Sequence, residues 1–197
     1  MVNHKIVVIY PTFRGTNGIQ SFLSDLYESG WEDFEIERLG VWFDEEIEWK
    51  GRKERYRWER VREILEKEDP TLIHLNTYAL TPELLDFLKS YRVLYTVHSL
   101  ALDHFRVSEI WKYRLGNLLN SKEFLKELAE KSVVGRINTS DIVSRYGMDS
   151  SISRDLNIIV YLIAVQKDIL LNSDIVVYNS EFTRERTREY FGIEKGH

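Results

Sequence analysis

The 197-residue chain carries 27 Lys and Arg against 32 Asp and Glu, for a net charge of -5, and has no cysteine. The acidic balance argues against a nucleic-acid surface, and the absent thiols exclude a disulfide framework, a thiolate nucleophile and cysteine-based metal sites. An apolar content of 43%, with 5 Trp, 9 Phe and 11 Tyr, supplies the core of one domain or one and a half. The longest wholly apolar run, Ile158 to Val165, falls far short of a membrane span. The opening M-V-N-H-K-I-V-V-I-Y has no signal-peptide layout, so a cytoplasmic protein is expected. Dense charge without cysteine also matches the composition of thermophile proteins.

His4 to Tyr10 reads H-K-I-V-V-I-Y, a strand too continuously apolar for a half-exposed edge. The turn G15-T-N-G18 follows, and then Ile19, Phe22, Leu23, Leu26 and Tyr27 recur at spacings of three and four. A strand, a glycine turn and a helix open an α/β unit. The helix's positive end and the turn's N–H groups then face whatever sits over the strand ends. G-T-N-G is neither a dinucleotide fingerprint nor a P-loop. Two readings therefore stand: glycines that only let the chain reverse, and a ligand-facing loop.

Phe34 to Trp42 alternates as a second strand. Residues 44–69 are densely charged, and their second half reads as a helix with Trp58, Val61, Ile64 and Leu65 inward. Six basic residues from Arg52 to Arg62 interleave with Tyr56 and Trp58. They fit a groove for an anionic or sugar ligand, or a solvated face paired with Glu54, Glu59, Glu63 and Glu66; charge spacing favours the second. Thr71 to Asn76 is a third strand. Thr81, with Pro82 behind it, caps a helix that runs to about Ser90, and R-V-L-Y-T-V-H ends a fourth strand at His98. This βαβ rhythm predicts a Rossmann-like, mostly parallel sheet with helices on both faces.

Leu115 to Lys131 has helical periodicity, while 133–147 is mixed, and 103–150 reads as an irregular, partly helical insertion within a single domain spanning 1–197. A long helix from about Ser153 to Leu171 carries Leu156, Ile159, Leu162, Ile163, Val165 and Ile169, and its apolar run predicts burial on more than one side. The strand D174-I-V-V-Y and a helix from Ser180, with Glu181 at its positive end and Gly192 beyond its last turn, close the chain. The chain stops just past that helix, as at a domain boundary.

Three groups fall at predicted C-terminal strand ends: the Gly15–Gly18 loop, His74 with Asn76 and Thr77, and His98 with Ser99. Ser180 and Glu181 start their helix on the same rim, where open parallel sheets place ligands. His98 reads either as a hydrogen-bonding or acid–base group for a sugar or phosphate, or as a strand cap bonded to backbone. His74, inside an apolar strand, reads as a satisfied core histidine. The spacing of His98 and His104 suits no zinc site, so no metal is expected. There is no G-x-S-x-G elbow for acyl transfer, and no acidic residue marks itself out at a strand end.

The segments Y10-P-T-F-R-G-T-N-G-I-Q-S-F-L, I73-H-L-N-T-Y, T96-V-H-S-L and N172-S-D-I-V-V-Y-N-S-E-F-T-R-E occur in a telling order and spacing. Together they resemble the N-terminal domain of two-domain (GT-B) retaining glycosyltransferases, the group containing glycogen and starch synthases and related sugar transferases. The resemblance covers most of the chain and leaves about 103–150 unmatched. It implies that His98 is the active-site histidine contacting the transferred sugar. Gly18, with Gly15 and Asn17, would lie beneath the donor phosphates. Asn76, Thr77 and Ser99 would bind substrate, and Ser180 and Glu181 would start a cleft-side helix.

The sequence also departs from the pattern. The synthases' Lys-x-Gly-Gly is G15-T-N-G here, with Arg14 only adjacent, and Thr77 and Tyr78 stand where the family has Asp-Trp. These departures point away from glucan synthesis and toward a broader glycosyltransferase assignment. The resemblance further implies a C-terminal donor-binding domain, in cis or as a second chain, a UDP- or ADP-sugar donor and a carbohydrate acceptor. Transfer would proceed with retention and without a metal. This half alone is expected to hold no cofactor and to be inactive. Two alternatives remain at this point: a non-enzymatic glycan- or partner-binding module, and an unrelated Rossmann-like nucleotide-dependent enzyme.

Overall fold

In the computed structural model, strand β1 (His4–Pro11) has no exposed face: Ile6, Val7, Val8 and Ile9 are each at most 3% exposed. Successive side chains of a strand point to opposite faces, so both faces of β1 must be covered. Burial of each such side chain stabilises the fold by about 1.5–3 kcal/mol. Strand β2 (Phe34–Trp42) pairs with β1 in parallel on one edge, and β5 (Leu72–Leu75) pairs in parallel on the other. Ile6, Val8 and Tyr10 pack with Leu23, Tyr27, Ile36 and Leu72 on one face. Leu23 and residues 25–27 are helical. On the opposite face, Lys5 donates to Glu68 of helix α1 (Trp58–Glu68) at 2.9 Å. The described residues are 4–11, 23, 25–27, 34–42, 45–103, 115–135, 139–148 and 152–196, so Gly15, Asn17, Gly18 and His104 lie outside them.

Among the described residues, the sheet has seven strands in the order β4-β3-β2-β1-β5-β6-β7, where β6 is Val93–Val97 and β7 is Ile175–Tyr178. β5 and β6 are parallel, as expected from their βαβ spacing. Helix α2 (Pro82–Leu88) links them, with the Thr81 hydroxyl accepting from the Leu84 N–H at 3.5 Å. β7 is pinned beside β6 by two bonds. The Asp174 N–H donates to the Val93 carbonyl at 2.9 Å, and the Val93 N–H donates to the Asp174 carboxylate at 2.8 Å.

Charge density hid a hairpin in the sequence. Residues 46–55 form β3 (Glu46–Trp49) and β4 (Arg52–Arg55), antiparallel to each other, with β3 antiparallel to β2. Both central turn residues take positive φ, Lys50 at 49° and Gly51 at 75°, which is the turn that suits the twist of a two-residue hairpin. Lys50 is held there by Glu37 at 2.8 Å. The arginines that follow are paired as a solvated face: Arg60 with Glu54 at 3.1 Å and with Glu63 at 3.4 Å, and Arg62 with Glu66 at 3.5 Å.

The chain separates into two compact units, Met1–His98 with Asn172–Val177, and Ser99–Leu171 with Tyr178–Gly196. In the second unit, the continuous helix expected over Leu115 to Lys131 is broken. A 3₁₀ turn (Gly116–Asn120) precedes α3 (Lys122–Lys131). Gly116 takes φ 53°, a left-handed conformation no interior helix residue adopts, and Ser121 then caps α3 by accepting from the Phe124 N–H at 3.3 Å. Among its described residues, the mixed stretch contains one short helix, α4 (Ser140–Arg145). α5 (Ser153–Asn172) buries Leu156, Ile159, Leu162, Ile163, Val165 and Ile169, with Val160 and Ala164 buried beside them, so the run is covered on more than one side as expected, while Ile158 remains 47% exposed. α6 (Glu181–Phe191) closes the unit, and Lys122 of α3 donates to its Glu189 at 2.9 Å.

At the N-terminal end of the sheet, Glu68 takes Lys5 at 2.9 Å and Lys50 at 3.7 Å with only 9% of its side chain exposed. The bond from Lys5 holds its carboxyl below the usual glutamate range. Glu35, which meets Lys5 at 3.4 Å, is 47% exposed. Glu68→Gln is therefore expected to lower the unfolding free energy by roughly 1–3 kcal/mol, because two ammonium groups lose their buried counter-charge. Glu35→Gln should cost less than about 0.5 kcal/mol. Urea titration of both variants checks this, and equal losses would contradict it.

Candidate active site

Where an open parallel sheet reverses its winding, the loops diverge and leave a crevice at the strand C-termini. Here that point lies between β1 and β5. The chain goes from β1 to β2 on one side and returns, through the hairpin and α1, to β5 on the other. The Asn76 N–H donates to the Ile9 carbonyl at 2.8 Å, so Asn76 stands at the mouth of that crevice.

The register of β5 and β6 aligns His74 with Leu94. Period-two alternation then puts His74, Asn76, Thr96 and His98 on one face of the sheet. That face is the one on which Val8, the β1 partner of His74, packs with Leu23 and Tyr27. The four side chains form a ladder of diagonal bonds. His74 Nε2 meets Thr96 Oγ1 at 2.7 Å, and His98 Nε2 meets Asn76 Oδ1 at 2.9 Å. The amide nitrogen of Asn76 donates to the His74 carbonyl at 3.3 Å, and the Tyr27 hydroxyl contacts His74 Nδ1.

The two histidines have different standing. His74 is 3% exposed, with both ring nitrogens engaged inside the fold. Burial, reinforced by the nearby His98, pushes its pKa down to about 4. It is a neutral core histidine. His98 is half-buried, and burial lowers its pKa as well. A neutral, half-exposed imidazole at a strand end can donate or accept a hydrogen bond without bringing a charge.

Thr77 is buried, and its hydroxyl accepts from the Ala79 N–H at 3.0 Å, shaping the turn after β5. In the second unit, exposed Ser99 is fixed through its carbonyl, which accepts from Gln166 Nε2 at 2.8 Å, while Gln166 Oε1 accepts from the Ala101 N–H at 2.7 Å. Gln166 is completely buried. Ser180 caps α6 by accepting from the Thr183 N–H at 3.2 Å, and exposed Glu181 pairs with Arg184 at 2.9 Å. The structure thus brings Asn76 and His98 into contact and engages the Ser180 hydroxyl in its own helix.

Tyr27, Thr96 and Gln166 were not read as part of the site from sequence. Thr96 was detectable by its parity with His98. Gln166 stood out only as a polar residue inside a helix that is apolar around it. Among the described residues, one acidic group has the spacing for a cation: Glu35, Glu37 and Glu68, within 4.8 Å of one another. Lys5 and Lys50 already pair with its carboxylates, and it lies at the sheet end opposite His98.

Two outcomes test this arrangement. His74 has a folded pKa of about 4 against an ordinary 6.5, so between those values the unfolded chain binds more protons and stability rises with pH. The contribution is complete above pH 6.5 and is lost as the pH falls toward 4, by up to about 3 kcal/mol. The stability advantage of the wild type over His74→Gln should shrink by that order between pH 7 and pH 4, and a constant difference would contradict it. Gln166→Leu leaves the buried Ala101 N–H without its partner, which costs about 1–3 kcal/mol. Hydrogen exchange should show Ala101 losing its protection first.

Among the described residues, no helix is long and apolar enough to cross a membrane. A comparison with curated proteins finds no match. A family model described as Glycosyltransferase Family 4 matches residues 3–197, essentially the whole chain, and it is typically paired with a C-terminal domain. The parallel sheet, its switch point between β1 and β5, and this match agree: the chain belongs to Glycosyltransferase Family 4, as the N-terminal domain type of a GT-B glycosyltransferase.

Proposed function

We propose that this domain is the acceptor-side half of a retaining glycosyltransferase, which moves a sugar from a UDP- or ADP-sugar to a carbohydrate acceptor. The observation that carries the reading is His98, at the end of β6, with its ring held by Asn76 beside the sheet's switch point. The C-terminal domain binds the nucleotide. The bond from the anomeric carbon to the leaving phosphate breaks through an oxocarbenium-like transition state, the acceptor oxygen bonds on the same face, and its proton passes to the leaving phosphate. The N–H groups of the Gly15–Asn17–Gly18 loop offset the phosphate charge. Asn76, Thr77, Ser99, Ser180 and Glu181 shape the acceptor side.

His98 contacts the transferred sugar and orients it, so that the reacting atoms meet without a further entropy cost. Its neutrality suits this role, because a fixed imidazolium would oppose the positive charge that develops on the sugar. No metal takes part in this scheme.

In the complete two-domain enzyme, His98→Ala is expected to lower kcat roughly hundredfold. It should cost less than about 1 kcal/mol of stability, since the ring is only partly buried. Steady-state transfer assays with a panel of UDP- and ADP-sugars, alongside melting curves, check this. Unchanged turnover, or a large loss of stability with it, would remove His98 from the active site.

A further inference from the structure

Three helices of this chain are capped by the residue before their first turn. Thr81 accepts from the Leu84 N–H at 3.5 Å, Ser121 from the Phe124 N–H at 3.3 Å and Ser180 from the Thr183 N–H at 3.2 Å. The helical turn over 101–103 is built another way. Leu100 stands before it, completely buried, and its side chain offers no oxygen. The first N–H groups of a helix have no partner within it. Here the Ala101 N–H donates to Gln166 Oε1 of α5 at 2.7 Å, so the acceptor comes from 65 residues further along the chain.

Gln166 is completely buried, and its two partners leave its amide one orientation. An N–H only donates and a carbonyl only accepts, so Oε1 faces Ala101 and Nε2 faces the Ser99 carbonyl, 2.8 Å away. One side chain thereby holds the backbone on both sides of Leu100. Leu100, Ala101 and Leu102 are at most 1% exposed, whereas Ser99 is exposed. Among the described residues, no group is bonded to the Ser99 hydroxyl. Gln166 supplies the cap, so this hydroxyl is not committed to a helix start as those of Thr81, Ser121 and Ser180 are.

We infer that Gln166 is a positioning residue: it fixes the backbone of Ser99 so that the exposed Ser99 hydroxyl hydrogen-bonds a hydroxyl of the carbohydrate acceptor. This rests on the reading of Ser99 as an acceptor-side residue given above and deepens it. A serine hydroxyl has one hydrogen to give and two lone pairs, which match a sugar hydroxyl in either direction. Neither partner carries a charge, so the contact depends on geometry, and a backbone free to wander would lose it. Holding the main chain before binding removes an ordering cost that the acceptor would otherwise meet.

The test is a double-mutant cycle in the complete two-domain enzyme, read by steady-state transfer from UDP-glucose or ADP-glucose to methyl glycosides of glucose, galactose and mannose. Ser99→Ala should raise the acceptor KM roughly threefold to tenfold, the worth of one net hydrogen bond, with kcat and melting temperature little changed. Gln166→Met, which fills a similar volume without the amide, should lower the melting temperature and also raise the acceptor KM. The double variant should be no worse in KM than Gln166→Met alone, because both changes act at one contact. If Gln166→Met does not fold, Gln166→Asn, an amide one methylene too short to span both groups, replaces it. The Ser99→Ala measurement needs no change at position 166. A wild-type KM in Ser99→Ala, a wild-type KM in the Gln166 variant despite its lower melting temperature, or effects that multiply in the double variant would each overturn the inference while leaving His98 in the site. Full activity of His98→Ala, or no transfer from either donor to any of these acceptors, would instead bring down the site reading itself, and the inference with it.

Discussion

A strand buried on both faces makes demands that the rest of this domain answers. β1 can satisfy its backbone only by pairing on both edges, and its side chains only by cover on both faces. The helical turn around Leu23 and Tyr27 covers one side, and α1 reaches the other, where Glu68 receives Lys5. Meeting both demands requires the chain to cross the sheet in opposite directions after β1 and before β5. The crevice between those strands is a by-product of that burial, and it lies where open α/β sheets bind their ligands.

The two ends of the sheet are built differently. At the N-terminal end, three carboxylates pair with two ammonium groups, and the arrangement ties β1, β2, the hairpin turn and α1 together. At the C-terminal end the polar groups are neutral: two uncharged imidazoles, an amide and hydroxyls, joined by hydrogen bonds. Neutral groups can be buried with their bonds satisfied at far lower cost than charges.

His74 and His98 show why burial, more than residue type, assigns roles. Both stand on the same face of adjacent strands, and burial lowers the pKa of both. His74 lies one step deeper, where each ring nitrogen has a partner, and it serves to hold Asn76 and the helix of Tyr27 in place. His98 lies where β6 ends, at a half-exposed position. In the paired register His98 lies four residues further along than His74, and that displacement separates scaffold from candidate chemistry.

Much of this was legible in the sequence because it rests on local rules. Apolar continuity marked β1 as doubly covered, alternation bounded β2, and Thr81 with Pro82 and Ser180 with Glu181 marked helix starts through backbone satisfaction at their first turns. Charge density concealed the hairpin, since the alternation of Ile47 and Trp49 is diluted by the glutamates and arginines between them. Helical periodicity across Leu115 to Lys131 masked the break that Gly116 and Ser121 impose. The parity of His74, Asn76, Thr96 and His98 was also present in the sequence, but parity says only which face a residue takes. The register that places Asn76 against His98 and the depth that separates the two histidines depend on packing between strands, so tertiary structure alone decided them.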